Sequence, residues 1–202
     1  MPTITIQVYE GTDDAHQYGG PGTVDATGNV LNASATNQWV GLAFVDGLFN
    51  GALKTATITE AHLELYFTSG SFDDPDVTIY GHKDLNPYGE FSGFNSEISV
   101  LASTTATVNW TASNVGTGWV SSPDIKSIIR EVIDQFGFTS ATLCIIYKGN
   151  SASPMRVRSY EGNSAQAAKL VITYEIAATG QPMAARGRQV PGMRRPHGSQ
   201  GW

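Results

Sequence analysis

The stretch ATITEAHLELYF, residues 56–67, decides the fold class. From Ala61 onward, apolar and polar residues alternate. Ala61, Leu63, Leu65 and Phe67 share one face, and His62, Glu64 and Tyr66 share the other. A period of two belongs to an extended strand with one face in a core and one in water. A helix would place its apolar residues every three or four positions instead. The reading extends outward on both sides. Upstream, TITIQV (3–8) puts Ile4, Ile6 and Val8 on one face, while WVGLAFV (39–45) is apolar nearly throughout, as in a strand buried on both faces. Downstream, DVTIYGH (76–82), TATVNW (105–110), ATLCIIYK (141–148), MRVRSY (155–160) and AKLVITYE (168–175) read as further strands. Short segments at 30–35 and 97–101 complete the set, and the rest of 11–38 and of 83–95 reads as loop. About ten short strands with turns between them predict an all-β sandwich, and the long connections predict a jelly-roll-like one.

One segment breaks the period. In SSPDIKSIIREVIDQFGF (121–138), Ile125, Ile128, Ile129, Val132, Ile133 and Phe136 form a continuous apolar stripe at helical spacing. Ser122 suits the N-cap, Pro123 the first helical position and Asp124 the first turn, which predicts one amphipathic helix at about 122–136. Gly137 suits a left-handed C-terminal cap. A single helix with one apolar face is expected to plug an open edge of the sandwich.

The chain of 202 residues suffices for one domain, expected over 1–177. Residues 178–202 form a different kind of sequence: three prolines, no periodicity, no acid, and Arg186, Arg188, Arg194 and Arg195. The whole chain carries −6 and this arm carries +4, so the body carries −10. An acidic body is a poor partner for nucleic acid, whose phosphates need clustered Lys and Arg. The arm is expected to be an assembly device, with its four arginines and the terminal Trp202 contacting acidic protein surface, on copies of the same chain or on other proteins.

Cys144 stands alone, so no internal disulfide is possible, and its run ATLCIIYK places it as a small buried hydrophobe. MPTITIQVYE reads as a first strand rather than a signal peptide, and no run is long and apolar enough for a membrane-spanning helix. The expectation is therefore a protein made in the cytoplasm, not secreted by a signal peptide, and without a membrane partner.

Candidate chemistry is sparse. The chain has no G-x-S-x-G, H-E-x-x-H, C-x-x-C or P-loop motif, and its four histidines are scattered. It is read as non-enzymatic and as needing no cofactor. His62 and Glu64 share a strand face, as half of a metal site or as an ordinary wet face. Asp13 with Asp14, and Asp73, Asp74 and Asp76, are loop carboxylates that fit either calcium or simple Asx turns. Among the tryptophans, Trp39 and Trp110 lie in strand runs and are expected in the core. The loop NPYGEFSGF brings Tyr88, Phe91 and Phe94 together, as a sugar-stacking platform, a staple for the loop, or a subunit contact.

Four pieces together resemble the DNRLRE-like β-sandwich family, which is related to a group of carbohydrate-binding modules. They are VGLAFV, TATITEAHLELYF, the TVNW…GWVSSPDIKSIIREVID stretch, and the closing MRVRSYEGNSAQAAKLVITYE. The resemblance spans residues 3–176. It implies a jelly-roll sandwich, and functions ranging from sugar-binding and cell-surface modules to phage virion proteins. With the arm, it leads to the expectation of a phage virion accessory protein, a capsid decoration or a tail or adsorption component. The alternative is a carbohydrate-binding module for a cell-surface or extracellular polysaccharide, and the two merge if a virion protein binds host glycans.

Overall fold

Alternating strands bury one face each, and two sheets bury those faces against each other. In the computed structural model, which describes residues 1–19, 22–36, 38–68, 74–93 and 97–176, this produces a sandwich of two antiparallel sheets. The elements in chain order are β1 (Thr3–Gln7), β2 (Asp14–Gln17), β3 (Val24–Asp25), β4 (Val30–Ala33), β5 (Trp39–Val45), a short helix α1 (Ala52–Thr55), β6 (Thr57–Phe67) and β7 (Asp76–Gly81). They continue with β8 (Val108–Thr111), β9 (Gly118–Ser121), helix α2 (Lys126–Ile133), β10 (Thr142–Gly149), β11 (Met155–Arg158) and β12 (Lys169–Glu175). The first sheet runs β1-β12-β6-β11-β4, with β9 also paired to β6. The second runs β3-β2-β5-β10-β7-β8. The chain crosses repeatedly between them, as the jelly-roll-like expectation required.

The alternation of β6 is real and stops at one bulge. Thr173 pairs with Glu60 but the next residue, Tyr174, pairs with Ile58, so Thr59 is extra. The bulge lets Ile58 face inward although it is out of phase with Ala61. Leu63, Leu65 and Phe67 meet Leu42, Phe44, Ile79, Ile145 and Tyr147 of the other sheet in one core.

The second sheet has a second cover. Its outer face holds Ala15, Cys144 and Ile146, and Phe91 and Ile98 from the 83–101 connection close over them. This is why β5 and β10 are apolar on both faces. Gly41 of β5 sits under the Phe91 ring: a Cβ there would lie 2.2 Å from the ring's Cζ.

The helix is shorter than its sequence pattern. Ser122, expected as the N-cap, instead extends the β9–β6 ladder: its N–H donates to the Leu63 carbonyl (2.8 Å) and its hydroxyl accepts from the Leu63 N–H (3.0 Å). Pro123 and Asp124 then form a linker, and Asp124 Oδ1 accepts from the N–H groups of Lys126 (3.0 Å) and Ala61 (3.1 Å). Ile128, Ile129, Val132 and Ile133 are buried. Gly81 makes room for them, since a Cβ there would meet Ile128 and Val132 methyls, both at 2.9 Å. Phe136, expected on the apolar stripe, is fully exposed. Gly137 takes the left-handed conformation (φ 88°) and turns the chain, so Phe138 fills the core instead.

Two strands were invisible in the polar stretch 11–38. β2 has the sequence DAHQ and all four residues are buried. Segment 97–101 is a turn rather than a strand, and TATVNW pairs only from Val108 onward. The arm lies outside the described residues, as do Phe94 and Asp73.

Candidate functional site

The expected aromatic loop is a staple. The Phe91 N–H donates to the Thr12 carbonyl (2.7 Å), and its ring is 1 % exposed. Tyr88 packs beside it, ring centroids 5.3 Å apart, and its hydroxyl donates to Glu97 Oε1. The Glu97 carboxylate also accepts from the Ser92 N–H (3.0 Å), the Ser92 hydroxyl (2.9 Å) and the Gly93 N–H (3.1 Å). Burial alone would raise its pKa, but these donors outweigh burial and hold it below the usual range. From below, Gln17 Oε1 accepts from the N–H groups of Ile98 (3.1 Å) and Ser99 (2.9 Å). The buried Phe91 ring has no free face for a sugar.

The loop's position creates something else. Phe91 and Ser92 form one wall of a cleft of about 720 Å³. Glu10 lines it from a single 3-10 turn (Gly11–Asp13), Tyr18 and Asp25 from the β2–β3 hairpin, and Glu161 from the turn after β11. Local chemistry fixes each part. Asp13 Oδ2 accepts from the Tyr9 and Glu10 N–H groups, both at 3.2 Å, which shapes the 3-10 turn. The Tyr18 N–H bonds the Thr23 carbonyl (3.0 Å) to close the hairpin. Gly11 lacks a side chain where the Glu161 carboxylate lies, since a Cβ would be 1.7 Å from Oε1.

The cleft is electrostatically one-sided. Its ionisable carboxylates are Glu10, Asp25 and Glu161, and among the described residues no Lys or Arg lines it. None of the four ion pairs among the described residues involves them. Asp25 is held below the usual carboxylate range: burial opposes ionisation, but the Thr27 N–H (2.8 Å) and hydroxyl (2.9 Å) and nearby His16 outweigh it. Burial pushes Glu161 the other way, and Asp25 adds to the push. Behind this wall sit two buried polar residues of β2. Asp14 is 0 % exposed and accepts the Tyr160 N–H at 2.9 Å through Oδ2. Its Oδ1 has no hydrogen-bond partner among the described residues. Burial first, then Glu161 and Asp13, push its pKa up to about 8 against the Tyr160 donor. His16 stacks edge-on to Tyr18 (4.3 Å), and neither ring nitrogen has a partner among the described residues. Burial lowers its pKa, with Asp25 opposing.

The remaining sequence candidates separate. Trp110 is in the core against Phe67, as expected. Trp39 is a correction: it is half-buried on the outer face of the second sheet, 6.1 Å from the Tyr80 ring, with Lys148 Nζ 5.2 Å from its ring. It begins β5 and packs only partly against the cluster under the loop cover. Near it, the Thr78 hydroxyl donates to Asn109 Oδ1 (2.9 Å). Trp119 is exposed on the other sheet, between Tyr66 and Lys169. His62 approaches Glu60 (3.7 Å) rather than forming a site with Glu64. Asp74 accepts from the Asn114 (2.9 Å) and Val115 (2.7 Å) N–H groups, and Asp76 opens β7. Among the described residues no three His, Cys, Asp or Glu side chains group as a metal site.

Sequence reasoning missed Glu10, Tyr18, Asp25 and Glu161. They come from three separate segments of the chain and no spacing links them. Among the described residues no helix is long and apolar enough to cross a membrane. Compared with models of known protein families and with curated proteins, the chain matches none.

Proposed function

We propose that this chain is a non-catalytic structural or accessory protein of a large assembly, of the kind a phage virion decoration or tail component represents, held to its neighbours by its C-terminal arm. The observation that carries this reading is charge segregation. A body of −10 with an acidic cleft is joined to a tail of +4 that contains no acid. Opposite charges on one chain favour contacts between copies, or with an acidic lattice. The core closes within residues 1–176, so a 1–177 chain retains every buried contact described. Sedimentation of the full chain beside 1–177 tests the reading. The expected result is that the full chain self-associates and loses association in high salt, while 1–177 stays monomeric. Two monomers at high protein concentration would remove it.

A second reading, binding of a cell-surface or extracellular polysaccharide, is favoured by the half-exposed Trp39–Tyr80 pair beside Thr78, Asn109 and Lys148. Aromatic faces beside amides suit the apolar and hydroxyl faces of a pyranose. Affinity electrophoresis through polysaccharide gels checks it. Retardation abolished by Trp39→Ala supports it, and equal mobility in every gel ends it.

A further inference from the structure

We propose, resting on the assembly reading, that the cleft lined by Glu10, Tyr18, Asp25, Phe91 and Glu161 receives an arginine from the C-terminal arm of a second copy of this chain. The lining fits a guanidinium better than it fits an ammonium or a metal ion. Carboxylates from three different segments surround a cavity that also presents one exposed aromatic ring, Tyr18. A guanidinium pairs in-plane with carboxylates and stacks its flat face on aromatic rings, which a point charge does less well. The volume, about 720 Å³, falls in the ~300–1,000 Å³ range of ligand sites.

Among the described residues the cleft also lacks a Lys or Arg as counter-charge. Glu161 and Asp25 repel each other. Like charges held close together cost stability unless a cation arrives from outside. The sequence concentrates four cations in one acid-free place: Arg186, Arg188, Arg194 and Arg195.

The second copy is taken from the assembly reading, and the topology accommodates it. The arm follows β12, whose last residue, Glu175, pairs with Thr57, and Pro2 lies beside Tyr174. The cleft is at the other end of the same strand, where Lys169 pairs with Gln7 and the chain runs on to Glu10. Six residues of strand separate the two ends by ~20 Å. A donor at one end and a receptor at the other make a head-to-tail contact, which repeats from copy to copy.

The test uses the 1–177 chain and a synthetic peptide of residues 178–202, followed by calorimetry at low and high salt. The expected result is binding that weakens with salt. It falls about tenfold or more when the four arginines of the peptide become glutamine, and similarly when the body carries Asp25→Asn with Glu161→Gln. The peptide change cannot unfold the body, and Glu60→Gln with Glu64→Gln, on the outer face of the first sheet, leaves binding unchanged. Three outcomes overturn the proposal. If the peptide binds but ignores the cleft substitutions, the arm docks elsewhere. If it fails to bind while the full chain still self-associates, the receptor is wrong and the assembly reading stands. If the full chain is also monomeric, both fall together.

Discussion

The two outer faces of the sandwich have opposite fates. On the first sheet, His62, Glu64, Tyr66 and Trp119 meet water, and Lys169 lies 3.8 Å from the Trp119 ring. On the second, Ala15, Cys144 and Ile146 are sealed beneath Phe91 and Ile98. The sequence registers the difference at once. β6 alternates because one face is wet, and β5 and β10 do not because neither is. The contrast teaches that the 83–101 connection, polar in composition, is part of the core. It also walls the acidic cleft, so structure and the proposed site share one segment.

The strongest way to break the comparison is Phe91→Ala. It uncovers Gly41 and leaves a cavity, and should cost ~3–5 kcal/mol in urea unfolding. A loss below about 1 kcal/mol would mean that the cover is decoration. Glu97→Gln comes next. It weakens a hub of four donors and should cost ~1–3 kcal/mol at neutral pH. The folded pKa of Glu97 is depressed below 4.5, so its contribution is present above that value and is lost as pH falls through the folded value. Wild-type and variant stabilities should therefore converge in acid, and a constant gap would refute the assignment.

Asp14→Asn probes the inner side of the same sheet. The folded Asp14 pKa is about 8 against 3.8 when unfolded. Between these values the folded state holds a proton that the unfolded state has lost, so wild-type stability declines as pH rises across that window. The variant should remove this decline and be ~1–3 kcal/mol the more stable of the two at the alkaline end. Melting curves across pH that run parallel would show that Asp14 does not titrate there. The smallest effect sharpens the other side of the contrast. Trp119→Ala, at 39 % exposure on the wet face, should change unfolding free energy by less than about 1 kcal/mol. A loss comparable to that of Phe91→Ala would erase the distinction between the faces.

Much of the fold was legible because burial leaves a period. Leu63, Leu65 and Phe67 announced a one-sided strand, Leu42, Ala43 and Phe44 a two-sided one, and Ile128, Ile129, Val132 and Ile133 a helix face. Strand β2 was not legible, because Asp14, His16 and Gln17 are polar residues buried by their tertiary partners, and hydropathy registers them as loop. The helix start was misread for a related reason. Ser122 and Pro123 make a good local cap, but Leu63 offers Ser122 a ladder partner that local sequence does not reveal. The aromatic loop was found, yet its role as a staple depended on Gly41, fifty residues away in the chain.

By itself the sequence determined the all-β class, the main strand faces, the amphipathic helix and the charge split between body and arm. Each of these is a property of neighbours along the chain, where periodicity and composition act directly. Tertiary structure alone decided which outer face is sealed and that Glu10, Asp25 and Glu161 converge on one cleft. Those facts depend on contacts between residues far apart in sequence, and no local pattern encodes a distance that only folding creates.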